Sequence, residues 1–457
     1  MALPNEDKTD ALGKGKSNPK PDSVVEVKVD RMTVNVFFDG TANNYINTDA
    51  RTPSREGSYA NAYSNVAWLY TRTKEDISDS VNVYIEGIGT LKGKDDSAYS
   101  KATGWSGLGG YGMVARAMLA FTEIKRALKA KKTKGRDQKL ILANLTINVF
   151  GFSRGAAAAR YFVSTLHSDE NPWTHLPKRT LDEQVNDFAD HSQDTVDDQG
   201  VKIANFSVNF MGLYDTVSSV GNNPRNDIVP YRQQIKRGTC RFVFHLTARD
   251  EYREHFALNR ISTATGGKFG YEMQIPGAHS DIGGGYNHYE TEALRWTSTM
   301  AKGYNQHLQE GGWYRKEDIY EQYHDRPNRQ FWDHWTKTRT ISNEYHKVGL
   351  KIMVDMIGKF IQPVELSFKD NLPINTSDST IQFIQSKLDQ MAQTRYKLGI
   401  QGTDDIVEAK LWPAGNDWSK EIYRRYFHVS SDFHSIGMSP RINGNGQPER
   451  LRVSDHG

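Results

Sequence analysis

A serine hydroxyl becomes a nucleophile where a base can reach it, and one way to expose it is a sharp turn between a strand and a helix. One stretch has the residues for that. Gly151-Phe152-Ser153-Arg154-Gly155 reads G-x-S-x-G, with an apolar run before it (145–150) and an Ala-rich run after it (156–166). A strand feeding such a turn and a helix leaving it would lift the hydroxyl above a sheet, at the positive end of the helix. The turn needs small flanking residues, which Gly151 and Gly155 supply. Four alanines, 156–159, let the helix approach its neighbours closely. The same pattern can arise by chance in a chain with 38 glycines, so the flanking strand and helix are what single out Ser153.

The serine needs a base, and the base needs a carboxylate to orient it. In serine hydrolases built around a strand–turn–helix the chain order is Ser, Asp or Glu, His. Asp215 stands at the carboxyl end of NFSVNFMGLY and opens the loop TVSSVG. Catalytic groups of open α/β sheets gather at that edge. A loop-capping aspartate is the plainer alternative. The base must come from 14 histidines. His245 lies inside FVFHLTA and reads as a packed core residue, and His255 and His288 sit in polar segments. His279 lies in PGAHSDIGGGY, where a turn precedes it and three glycines follow. Such a loop can carry an imidazole over the sheet edge. His279 is therefore the expected base, with Asp281 as a possible support. His434 in SSDFHS is the alternative base.

An oxyanion hole needs two donors: the N–H after the nucleophile, here Arg154, and one from an early strand–helix loop. Asp39-Gly40-Thr41-Ala42-Asn43-Asn44 follows the first apolar run. Gly40 and Thr41 are candidates for the second donor, and Asp39 could orient the loop. An ordinary Asp-Gly turn is the alternative. GLGGYG (Gly107, Gly109, Gly112) matches G-x-G-x-x-G but has no strand before it and no acidic residue about 20 positions on, so a dinucleotide is not expected. No cofactor and no metal are expected, since His279 and Asp281 lack a second ligand cluster. The basic run from Lys125 and Arg126 to Lys134 and Arg136 reads as a solvated helix end, with attraction to anionic lipid as the sharper alternative.

These groups need a scaffold. Short apolar runs (32–38, 81–88, 145–150, 205–214, 240–248) alternate with helical spacing over 113–130 and 154–166. That alternation predicts an α/β fold, a mostly parallel sheet with helices on both faces. The first 30 residues are polar and read as a disordered arm. Residues 31–290 form the expected catalytic domain. Beyond about 287 strands become rare, and 291–457 reads as a mainly helical addition, a cap or a membrane-facing region. Its amphipathic stretches at 344–362 and 381–399 would pack on a core or lie on a bilayer. The 457 residues allow a large core, and one cysteine, Cys240, excludes a disulfide-stapled fold. With 58 Lys+Arg against 55 Asp+Glu, the net charge of +3 argues against a nucleic-acid partner. The N-terminus has no apolar leader, and no run approaches the about 18 apolar residues that span a bilayer.

FFDGTANN, GFSRGAAAAR, GLYDTVSSVG and GAHSDIGGGY, in that order, resemble the α/β-hydrolase domain of bacterial type VI secretion lipase effectors, family one. The resemblance covers about residues 31–290. It implies a phospholipase A-type activity (first or second acyl position) on bacterial membrane phospholipid, with Ser153 as nucleophile, Asp215 as acid and His279 as base. It also implies synthesis in the cytoplasm without a signal peptide, injection into a rival's periplasm, a secretion-apparatus carrier and a cognate immunity protein. A serine esterase on soluble esters, or a non-enzymatic interaction protein on a hydrolase scaffold, are the competing expectations.

Overall fold

The computed structural model of the chain describes residues 25–50, 57–94, 96, 110–134, 138–173, 200–219, 233–297, 301–326, 329–397, 403–405, 418–431 and 438–455. Strands β1 (Glu26–Phe38), β2 (Ser80–Ile85), β3 (Lys139–Phe152), β4 (Val201–Tyr214), β5 (Phe242–Ala248), the short β6 (Leu258–Asn259) and β7 (Gly270–Ile275) occupy the first part of the chain. With β13 (Thr403–Asp405), all but β6 join one seven-stranded sheet in the order β13–β7–β5–β4–β3–β1–β2. Every pairing in it is parallel. Parallel strands are covered on both faces and so read as continuous apolar runs. β5, buried at all seven positions, fits that rule.

Helices cover both faces. They are α1 (Tyr45–Ala50), α2 (Asn65–Thr71), α3 (Met113–Lys132), α4 (Arg154–Leu166), α5 (Ser262–Gly266), α6 (His279–Gly283), α7 (Ala301–Glu310), α8 (His346–Phe360), α9 (Ser379–Lys397) and α10 (Trp418–Tyr426). On one face α3 and α4 bury Phe121, Ile124 and Phe162 among the Val and Ile of β1 and β3. On the other face α2 and α8 pack against the sheet, with Met353, Met356 and Ile357 meeting Phe150, Phe210 and Phe244. A row of asparagines crosses this sheet. Asn35 bonds Asn82 at 3.0 Å, Asn148 bonds Asn35 at 2.9 Å, and Asn209 bonds Asn148 at 3.1 Å. Their remaining donors reach Glu365 O and Phe360 O, so these buried amides are paired and tie the chain after α8 to the sheet.

Past residue 290 the structure adds detail that composition did not show. Helices dominate there, but β10 (Ile319–Arg326) and β11 (Arg329–Thr336) form an antiparallel hairpin that pairs with β9 (Arg295–Thr297). Sequence patterning missed it because IYEQYHDR is mostly polar and much of it is exposed, leaving no apolar run to detect. Shorter strands β8 (Tyr289–Glu292), β12 (Arg339–Ser342) and β14 (Arg452–Val453) pair with β12, β8 and β6 respectively. The stretch 344–362 becomes α8, and its apolar face is core: Val348, Ile352, Met353 and Met356 are buried, and Phe360 stacks on Phe242 at 4.2 Å. The stretch 381–399 gives α9, which packs on α8 through Ile384 and Leu388. The first strand begins at Glu26, inside the expected arm of 1–30, because Val27 and Val29 alternate with charged residues as strand residues do. Residues 1–24 of that arm lie outside the described residues. No described helix is long and apolar enough to cross a membrane.

Candidate active site

β3 ends at Phe152 and α4 begins at Arg154, so Ser153 is the turn between them. Its backbone sits at φ 57°, ψ −129°, a conformation that L residues rarely adopt. Such strain persists only where the surroundings enforce it. Here they do. A Cβ at Gly155 would come within 2.1 Å of Asp39 O, and one at Gly151 within 2.6 Å of Ala156 Cα. Ser153 N donates to Tyr214 O at 3.0 Å, which fastens the elbow to the end of β4. The helix dipole of α4 points its positive end at the turn.

β4 stops one residue before Asp215, which also has a positive φ, 40°. Its Oδ2 receives His279 Nδ1 at 2.6 Å. Both groups are buried, at 0% and 4% exposure. Burial alone would raise the Asp215 proton affinity, but the Arg450 guanidinium and the imidazole outweigh it and hold the carboxyl well below its usual range. Burial pushes His279 below its ordinary value, and Asp215 opposes that shift. The imidazole is wedged between Phe152 (4.6 Å between centroids) and Phe256 (5.1 Å). Ser153 Oγ makes no hydrogen bond with the imidazole among the described residues. Such bonds are often long without substrate and tighten when it binds.

The loop after β1 reaches the same place. Arg154 Nε donates to Thr41 Oγ1 at 2.8 Å, joining the elbow to that loop. Asp39 orients it: Oδ1 accepts the Gly40 N–H at 2.7 Å and the Ser64 hydroxyl, and Oδ2 accepts Tyr84 OH at 2.5 Å. This changes the expectation for Gly40. Its amide is engaged by Asp39 and cannot also hold an oxyanion. Thr41 N–H has no acceptor among the described residues and is the donor this loop offers. Burial raises the Asp39 carboxyl to about 6, against the pull of its three donors.

Asp281 lies in the same short helix as His279. Its Oδ2 accepts Ala278 N–H at 2.8 Å, which caps α6, and its Oδ1 meets His428 Nδ1 at 2.7 Å. Burial raises its carboxyl. His245 is a packed core residue. It accepts Thr216 N–H at 3.0 Å on Nε2 and meets Glu272 at 3.1 Å on Nδ1, bracing the loop that Asp215 opens. Asp250 accepts Gly277 N–H at 2.8 Å and so fixes the turn before His279. Sequence reasoning misses Arg450, Glu251 and Arg253, and reads His428 only as one of several later histidines with no special role. The charged run RDEYR directly after the apolar β5 could have pointed to Glu251 and Arg253; nothing local marks Arg450.

His434, Gly107, Gly109 and Arg136 lie outside the described residues, and Gly112 caps α3. Within the basic run, Arg126 pairs with Glu123 and Lys132 with Asp79. Among the described residues no group of three or more His, Cys, Asp or Glu is placed to hold a metal ion.

The catalytic-domain model of the Tle1-like phospholipase effectors of type VI secretion matches residues 32–302. A solved structure of the Tle1 effector bound to the VgrG spike from the type 6 secretion system is similar in fold, with a TM-score of 0.58 and 20% identity over 98% of both chains. An uncharacterized protein from Pseudomonas aeruginosa aligns over 81% of this chain and 52% of its own, at 16% identity and a TM-score of 0.42. No curated protein sequence matches the chain.

Proposed function

The chain belongs to the Tle1-like phospholipase effectors of type VI secretion, and from that premise we propose that it cleaves acyl esters of membrane phospholipid through a Ser153–His279–Asp215 triad. The observation that carries this reading is the buried 2.6 Å contact between His279 Nδ1 and Asp215 beside a serine at positive φ. Ser153 Oγ attacks the ester carbonyl while His279 Nε2 takes its proton. Asp215 holds Nδ1–H and stabilises the imidazolium. The backbone N–H groups of Arg154 and Thr41 receive the oxyanion. The imidazolium then protonates the leaving lysophospholipid, and water activated by His279 hydrolyses the acyl-enzyme. Carriage on a secretion spike, as in the solved relative, action on the target cell's membrane from its periplasm, and neutralisation by an immunity protein in the producing cell complete the proposal.

The test is turnover of vesicles of a mixed-chain phosphatidylethanolamine beside a short-chain nitrophenyl ester. The expected result is hydrolysis of the vesicles, with the released acyl chain reporting A1 or A2 position. Ser153→Ala should lose at least about 10⁴-fold in kcat. Turnover of the soluble ester alone would make the protein an esterase instead. Full activity of Ser153→Ala on both would remove catalysis from the account.

A further inference from the structure

We propose that Arg450 is a positioning residue of this active centre: from the C-terminal segment it fixes both carboxylate oxygens of Asp215 and so completes the triad. The inference rests on the triad reading above and adds a member that lies outside residues 32–302.

Arg450 meets Asp215 as a fork. Nη1 donates to Oδ1 at 2.7 Å and Nη2 to Oδ2 at 2.8 Å. Oδ2 is the oxygen that receives His279 Nδ1, and Oδ1 also accepts Ala248 N–H at 2.8 Å. The guanidinium is itself aimed by the main chain. Nη1 donates to Ala248 O at 2.7 Å and Nε to Phe256 O at 3.1 Å. The two side chains are 1% and 0% exposed. A lysine carries the charge but not the planar fork, so it could not hold both oxygens and two carbonyls at once.

The chain places Arg450 by backbone pairing on both sides of it. Before it, Glu254 N bonds Ser439 O and Arg441 N bonds Tyr252 O, each at 2.9 Å. After it, Leu258 N bonds Leu451 O and Arg260 N bonds Val453 O, each at 2.9 Å, within the β14–β6 pairing. Asp455 then accepts Thr263 N–H at 2.8 Å. The segment 438–455 is thus laced along 252–263, the stretch that links β5 to β7 beside the catalytic loops.

A purely structural ion pair would not need to sit on the triad oxygen. This one decides two things there. The fork sets the rotation of the carboxylate, and hence the line of the His279 Nδ1–H bond. Its charge offsets Asp215 as seen from the imidazole. Among the described residues, the other charged groups that act on that imidazole are Glu251 and Arg253 after β5, while Asp281, on the same short helix, is paired with His428. Removing the guanidinium leaves His279 as the nearest cationic partner of a buried Asp215, so His279 keeps its proton to higher pH.

The experiment uses the full chain, the short-chain nitrophenyl ester and pH–rate profiles, with rates referred to folded protein by circular dichroism. Arg450→Met should lower kcat about 10²-fold with KM unchanged, and should move the acid limb of kcat/KM to higher pH. Arg450→Lys keeps the charge but not the fork. It should lose kcat in the same range while its acid limb stays near native. Native kcat and native limb in folded Arg450→Met overturn the proposal. If that variant does not fold, Arg450→Lys with native kcat overturns it. Ester turnover that persists in Ser153→Ala means the triad reading has failed, whatever Arg450 does.

Discussion

Around Ser153 the chain is held by closeness, and around Asp215 and His279 it is held by charge. The elbow has no room for a Cβ at Gly155 or Gly151, where one would come within 2.1 Å and 2.6 Å of main-chain atoms. The Asp215–His279 side is instead surrounded by ionic and polar side chains drawn from far along the chain. Arg450 grips Asp215, and His428 grips Asp281 two residues after His279. Backbone packing is all-or-none, because nothing can move aside for a methyl group. Charge is graded, because each partner adds to a sum and each answers to pH.

Short of removing Ser153 itself, the largest expected effect comes from breaking the packed side. Gly155→Ala places its methyl group against two main-chain carbonyls, Phe38 O and Asp39 O, which cannot rotate away. Esterase turnover should fall at least about 10²-fold, with a lowered melting temperature. A variant with native turnover would show that the elbow is looser than its contacts say.

The smallest effect probes a carboxyl group buried beside the elbow. Asp39 is raised from 3.8 to about 6 by burial. Its folded form therefore binds the proton more tightly than its unfolded form. The stability this gives is fully present below 3.8 and is lost as pH rises through about 6. Urea unfolding should show the native protein losing roughly 3 kcal/mol more than Asp39→Asn between pH 3 and pH 7. Equal slopes would mean that Ser64, Tyr84 and Gly40 fully offset the burial of Asp39.

The same contrast explains what the sequence revealed. The parallel sheet, the elbow and the meeting of Ser153, Asp215 and His279 at one sheet edge were legible because their constraints are local: apolar runs, obligatory glycines, and loops at strand ends. The hairpin of β10 and β11 was not, because it is exposed and polar. Arg450 was not, because an arginine in GNGQPERLRV looks like any surface arginine until the fold brings it to Asp215. Gly40 and Thr41 were both candidate donors, since only the position of the Asp39 carboxylate tells them apart.

The central claim is that Ser153 is a nucleophile activated by His279. Its most direct test is labelling of the full chain with a fluorophosphonate, read by intact mass and peptide mapping. The account predicts one phosphonyl adduct, on the peptide containing Ser153, absent in Ser153→Ala and at least about 10²-fold slower in His279→Ala. An adduct on another residue, or labelling of Ser153→Ala at the native rate, would contradict it.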